Sequence, residues 1–395
     1  MFYWRFRLLS ESEVHAAESD GIGTECPDWR QILSLRSPVE LRREVKAPDM
    51  LARLNGEVGE LVHKLVEEAG GSPHAEFLQE MIQTILRLAE DHADRGDIKI
   101  LNAALRELVY AFRVFAPYRG IRKVTMFGSA RTTEDQPEYR QALNFAHEIS
   151  RQGWMVITGA GDGIMKAGQG GAGRERSFGV NIRLPFEQPA NEIIQNDSKL
   201  ITFKYFFTRK LIFVKEADAI ALFPGGFGTL DETFELLTLI QTGKSNPLPV
   251  VCVDRPGGDY WRTWNGYVRD VLVPRGLISP EDVSLYRVTD SIETAIAEIT
   301  GFYRNYHSSR YVGDRLAIRL QQAPTGRELD RLNGEFRDIL VDGAMTVSPA
   351  LPEEVNEHAL AHMPRLTLHF NRRDIGRLRQ LIDALNRLSP ISPGD

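Results

Sequence analysis

Cys26 and Cys252 are the only cysteines in the 395-residue chain, and they lie far apart. That excludes a disulfide framework and a cysteine-built zinc site, and it suits a reducing cytoplasm. No apolar run approaches the ~18 residues that a membrane span needs. The opening Met1-Phe-Tyr-Trp-Arg-Phe-Arg7 is broken by arginines, so it lacks the apolar core of a signal peptide. A cytoplasmic protein without a membrane partner is expected. Excess positive charge is missing too: 48 Lys plus Arg stand against 54 Asp plus Glu, for a net charge of −6. A nucleic-acid binder would normally show a basic face, so no nucleic-acid partner is expected. Internal repeats and low-complexity tracts are also missing.

What is present is the composition of a globular protein, 42% hydrophobic and 26% charged. The length predicts two or three domains. Residues 1–118 read as helical. Leu51, Leu54, Val58, Leu61 and Leu65 recur at three- and four-residue steps, between Pro48-Asp49 and Gly70-Gly71. Ser72-Pro73 starts a second helix with Phe77, Met81 and Ile85 on one face, ended by Gly96. Leu101, Leu105, Leu108 and Phe112 stripe a third. These stripes predict packing, and the region reads as a helical appendage.

The texture changes near residue 121. Short apolar runs at 124–127, 154–157, 178–182, 219–223 and 249–253 alternate with helical segments. That pattern predicts an α/β domain over 119–305, with a doubly wound (Rossmann-like) parallel sheet covered on both faces. Residues 306–395 read as strand 315–320, helix 327–340, strand 365–370 and helix 373–388, a small α+β module. It holds twelve Arg, no Lys and twelve Asp plus Glu. Arginine without lysine is either a solvated surface or an anion-binding one.

In a doubly wound sheet, ligands sit beyond the carboxyl ends of the strands. Three loops rich in glycine or small residues occupy such places. Phe127-Gly-Ser-Ala130 brings Gly128 and Ser129. Thr158-Gly-Ala-Gly-Asp-Gly-Ile-Met165 brings Gly159, Gly161, Gly163 and Met165. Pro224-Gly-Gly-Phe-Gly-Thr229 brings Gly225, Gly226, Gly228 and Thr229. Glycines let backbone N–H groups approach an anion, and the helix beyond adds its positive end. Three such loops predict a phosphate-bearing ligand. A dinucleotide G-x-G-x-x-G fails, because Ile164 stands where the last glycine belongs. A P-loop fails as well, because Thr238 stands five residues before Gly243-Lys-Ser245.

The third loop continues into Leu230-Asp-Glu232. Thr229 and Glu232 fit a capping box, with Thr at the N-cap and Glu at N3. In that position Glu232 would lie in a first helical turn beside the anion, and the helix dipole would keep it ionised. Upstream, Phe206-Phe-Thr-Arg209-Lys210 adds two cations, either a solvated edge or a clamp on a phosphate. His358 and His362 lie four apart but lack the glutamate of a zinc-protease motif. Neither they nor His147 predict a metal site, and no cofactor is expected.

The run Pro224-Gly-Gly-Phe-Gly-Thr-Leu-Asp-Glu232, with Arg209-Lys210 upstream, resembles the Lonely-guy phosphoribohydrolases, a family long mislabelled as lysine decarboxylases. The segment Asn181-Ile-Arg-Leu-Pro-Phe-Glu-Gln188 points to the larger bacterial branch with nucleotide 5′-monophosphate nucleosidases. The resemblance covers about 119–305. It implies a hydrolase that cleaves the N-glycosidic bond of a nucleoside monophosphate to free base and ribose 5-phosphate. It implies Arg209 and Glu232 as catalytic residues, the loop Gly225 to Thr229 as the phosphate site, and a homodimer or a multiple of one. Ala160 interrupts the three consecutive glycines common in the family's second loop. The residue types suit the reaction. A carboxylate can stabilise oxocarbenium charge and orient water, while a bidentate Arg209 can hold phosphate or ribose hydroxyls. Two other readings are a non-catalytic nucleotide or cofactor carrier of the same fold, and a lysine decarboxylase. The latter needs a lysine placed for pyridoxal phosphate, and no motif places one.

Overall fold

The computed structural model describes residues 56–185, 189–354 and 357–388. The stripe residues Leu51 and Leu54, the cysteine Cys26 and the end of the 181–188 segment lie outside them. The chain divides into two compact units at Arg95/Gly96. In the first, α1 (Glu57–Glu68) and α2 (Ala75–Glu90) pack on each other. Val62 and Val66 are buried, whereas Leu61, Leu65, Phe77, Met81 and Ile85 remain exposed.

The second unit begins with most of α3 (Arg95–Phe115). Its Ala111 and Phe115 are buried, and Phe115 stacks on Phe178 with ring centroids 4.3 Å apart. The third helix of the amino-terminal region thus forms part of the α/β core. The central sheet holds β1 (Lys123–Phe127), β2 (Met155–Thr158), β3 (Ser177–Ile182), β4 (Leu200–Phe203), β5 (Ala219–Leu222), β6 (Val250–Val253) and β7 (Arg287–Thr289). All neighbours are parallel, in the order β4-β3-β2-β1-β5-β6-β7. Every residue of β2, β5 and β6 is buried, as a sheet covered on both faces requires. The doubly wound fold expected from the alternating runs is present. The two edge strands, β4 and β7, are additions to it.

Strand order reverses between β1 and β5. Such a switch point opens a crevice at the carboxyl ends of the strands, because the connections on either side leave toward opposite faces. The first glycine loop follows β1 and the third follows β5. The fold therefore brings together loops that are almost a hundred residues apart in sequence.

Beyond α9 (Ile292–Phe302) a second sheet forms from β8 (Tyr306–Val312), β9 (Arg315–Leu320), β10 (Thr346–Ser348) and β11 (Arg365–Leu368). It is antiparallel, ordered β10-β11-β9-β8. Helix α10 (Gly326–Glu335) stops before the expected 340, in a 3-10 turn at Arg337–Ile339, and α11 (Ile375–Asn386) is last. One apolar cluster runs from Ile220 and Val250 of the central sheet to Leu366 and Leu381 of this module.

Candidate functional site

Ser129 ties the three glycine loops together. Its N–H donates to Pro224 O (3.0 Å) in the third loop, and its carbonyl accepts from Ile164 N–H (3.0 Å) in the second. So close a meeting of backbones explains two glycines. A Cβ on Gly163 would stand 2.2 Å from Ser129 O, at a φ of +62° that side chains resist; one on Gly225 would stand 2.1 Å from Thr229 Oγ1. Ala160 also takes a positive φ, +61°. It keeps the left-handed backbone that glycine would supply, stabilised by its N–H to Thr158 Oγ1 (3.1 Å) and by Asn191 N–H on its carbonyl (2.9 Å).

The helix after β5, α7 (Phe227–Gln241), has Gly226 as its N-cap and no side-chain cap. The Gly226 carbonyl accepts the N–H groups of Thr229 and Leu230, both at 3.1 Å. This overturns the capping box. Thr229 is the third helical residue, and Glu232 is the sixth, in the second turn. The backbone N–H groups of Gly226, Phe227 and Gly228 have no acceptor among the described residues. They are the orphan donors of a helix start, pointed at the switch-point crevice.

A cleft of about 830 Å³ opens there. Gly128, Ser129, Gly159 and Met165 line one part of it; Gly225, Gly226, Gly228 and Thr229 line another; Arg209 and Glu232 face it between. Gly161 and Gly163 do not line it. They shape the loop behind, where Asn191 donates to Gly161 O (2.8 Å) and to Gln169 Oε1 (2.7 Å). Lys210 is absent from the lining as well. It pairs with Asp231 (2.7 Å) and Glu235 (2.5 Å), and despite burial those hydrogen bonds raise its pKa.

Arg209 lies on α6 (Phe206–Lys215). Its Nε donates to Val180 O (2.9 Å), and its guanidinium carbon lies 5.0 Å from the Phe213 ring centroid. A Cβ on Gly159 would be 2.5 Å from Arg209 Nη2, so this glycine makes room for the guanidinium. Burial lowers the Arg209 pKa to about 10, against the pull of Glu232, and the group stays charged at neutral pH. Burial pushes the Glu232 carboxyl up to about 7, although Lys210 and Arg209 oppose the shift. The helix dipole does not keep Glu232 fully ionised, because a second-turn carboxylate set into the cleft loses more solvation than the dipole returns. At neutral pH both of its forms are present. No ion pair joins Arg209 and Glu232 among the described residues, so each retains capacity for a third group.

Residues outside the sequence reading also line the cleft. Tyr260 donates its hydroxyl to Gly225 O (2.6 Å) and fixes the third loop. Arg131 is exposed there, without an ion pair among the described residues. Phe206 and Phe227 add aromatic faces, and Phe227 is 95% exposed. Arg131 adjoins the first loop and was open to a proximity argument, whereas no spacing marks Tyr260. No cluster of three or more metal-ligating side chains occurs among the described residues, and His358 lies in a 3-10 turn.

Residues 160–299 match the family described as "Possible lysine decarboxylase". The cytokinin riboside 5′-monophosphate phosphoribohydrolase of Mycobacterium tuberculosis is 29% identical over 167 residues, 40% of this chain and 86% of that relative. A protein of the same name from Rhodococcoides fascians is 36% identical over 91 residues, 23% of this chain and less than half (44%) of that relative. Among solved structures, the molybdenum cofactor carrier protein of Chlamydomonas reinhardtii is 20% identical, with 46% of this chain and 96% of that one covered and a TM-score of 0.32. The molybdenum cofactor binding protein of Rippkaea orientalis is 20% identical, with 46% and 94% covered and a TM-score of 0.33. Residues 160–299, within the central domain, thus carry the domain of the Lonely-guy phosphoribohydrolase family.

Proposed function

We propose that this protein hydrolyses the N-glycosidic bond of nucleoside 5′-monophosphates, as the larger bacterial nucleosidases of the family do, releasing free base and ribose 5-phosphate. The observation that carries the reading is one cleft holding three unbonded N–H groups at the start of α7, with Arg209 and Glu232 beside them. The N–H groups of Gly226, Phe227 and Gly228 receive the 5′-phosphate, aided by the positive helix end. Arg209 takes the remaining phosphate oxygens or the ribose hydroxyls through its planar fork. Phe206 and Phe227 offer faces to the base.

In the reaction the C1′–N bond breaks as a water oxygen bonds to C1′. The ionised form of Glu232 stabilises the oxocarbenium-like charge and accepts a proton from that water; the departing base takes a proton from solvent water, and Glu232 returns its own to solvent, which balances the step. A carboxyl with a pKa of about 7 suits this task near neutral pH. The names of the two relatives support the reaction class. Much of the binding energy is assigned to the phosphate, so monophosphates should turn over while the matching nucleosides barely do. The test compares kcat/KM for AMP and adenosine; comparable values would overturn the phosphate assignment.

A further inference from the structure

The arginines of the carboxy-terminal module take no part in the cleft just described, yet one of them helps form a second concavity. It measures about 370 Å³ and opens where the module meets the central domain. Three arginines from three elements line it: Arg269 from the π-helical turn Val268–Leu272, Arg287 from β7 and Arg379 from α11. The walls are drawn together by close backbone contact. A Cβ on Gly376 would lie 2.5 Å from Glu281 O, and Ser284 Oγ donates to Gly376 O (2.9 Å).

The charges there do not cancel. Glu298 and Asp383 also line the concavity, and both are taken by Arg379: its Nη2 bonds Glu298 and its Nε bonds Asp383 (3.0 Å). Arg269 has only a long contact from Nε to Asn265 Oδ1 (3.4 Å). The Arg287 side chain has no hydrogen-bond or ion-pair partner among the described residues. Two carboxylates thus face three guanidiniums, and the two exposed arginines are left unneutralised. Arg379 is a fixed part of the wall. It is 3% exposed, its guanidinium carbon lies 4.9 Å from the Phe302 ring centroid, and the free positive charge of the concavity is that of Arg269 and Arg287. In a chain of net charge −6, this is a built cationic recess rather than part of a general basic surface.

We propose that this recess is a binding site for a phosphate-bearing anion, separate from the catalytic cleft. Two unpaired guanidinium forks match the charge and geometry of a phosphoryl dianion better than those of a single carboxylate. The volume leaves room for a small body attached to the phosphate. Because Arg379 belongs to the module while Arg269 and Arg287 belong to the central domain, occupancy clamps the two together.

The test uses the full-length protein and inorganic phosphate. Equilibrium dialysis with radiolabelled phosphate counts the ions bound per chain, for the wild type and for Arg269→Ala/Arg287→Ala. Both arginines are exposed, so the variant should melt like the wild type without phosphate. One fewer phosphate per chain is expected in the variant, together with loss of part of the phosphate-induced rise in melting temperature. The difference of one holds whether or not the catalytic cleft binds phosphate, so failure of the proposed function and failure of this site can be told apart. Equal stoichiometry in the two proteins overturns the site. A melting-temperature rise that depends on these arginines with succinate but not with phosphate overturns the assignment to phosphate.

Discussion

At the scale of single residues, Glu232 carries the most weight, and its burial makes it testable without a substrate. Its pKa is raised from the ordinary 4.5 to about 7, so the fold favours the protonated form. The stability this contributes is complete below about pH 4.5 and is lost as pH rises through about 7. Glu232→Gln mimics the protonated state. It should leave the melting temperature nearly unchanged at pH 4 and raise it by roughly 6–12 °C at pH 8, for about 3 kcal/mol relieved. An equal effect at both pH values would contradict the raised pKa. The same variant should bind monophosphate about as well as the wild type while kcat falls by roughly a hundredfold or more; near-normal kcat would remove Glu232 from the mechanism. Gly159 offers a second residue-scale test. The Cβ of Gly159→Ala would press on the flexible ends of Arg209 and Met165. The fold should hold while kcat/KM drops by about 10- to 100-fold through a displaced guanidinium. Unchanged kinetics would show that Arg209 needs no fixed position.

At the scale of elements, the carboxy-terminal sheet carries a buried ion cluster. Glu354 bonds Arg365 (3.0 Å) and Arg319 (2.5 Å), and all three are buried. Burial alone would raise the Glu354 pKa, but the bonds from Arg365, Leu351 N–H and Arg319 hold it near 2. This contribution is present above the ordinary glutamate range and is lost as pH falls through about 2. Glu354→Gln should cost about 3–5 kcal/mol at neutral pH, because the buried Arg365 loses its counter-charge and Arg319 keeps only Glu357 (2.6 Å). Urea denaturation checks this, and a loss under ~1 kcal/mol would contradict it. The sequence shows none of this cluster, because Glu354, Arg319 and Arg365 are joined only by folding. What could be read there was periodic or glycine-marked: the buried strands β1, β2, β3, β5 and β6, and the three loops. Leu200–Phe203 and Arg287–Thr289 were not, since they are short edge strands whose pairing comes from tertiary context. The capping box at Thr229 and Glu232 misled because the α7 start depends on Gly226 offering its carbonyl, and glycine carries no capping side chain. The sequence left Lys210 open as a solvated edge or a clamp because its partners, Asp231 and Glu235, reach it only through folding.

At the scale of the whole molecule, the division at Arg95/Gly96 separates two roles that the sequence merged into one helical region. A chain starting at Gly96 should keep a cooperative melt and its hydrolytic activity. One starting at 119 loses α3, and with it the burial of Ala111 and the stacking of Phe115 on Phe178. Losing the Phe115 contacts alone should cost about 3–5 kcal/mol. Equal melting temperatures for the two shortened chains would contradict the assignment of α3 to the α/β core. The switch point between β1 and β5 organises the cleft, since it sets a helix start with three unbonded N–H groups beside an arginine and a titratable carboxyl. The central claim is that this cleft breaks a glycosidic bond. The most direct test incubates the purified protein with AMP, GMP, CMP, UMP and IMP and assays for free base and ribose 5-phosphate. The account predicts equal amounts of the two products from at least one nucleotide, and recovery of every nucleotide intact would contradict it.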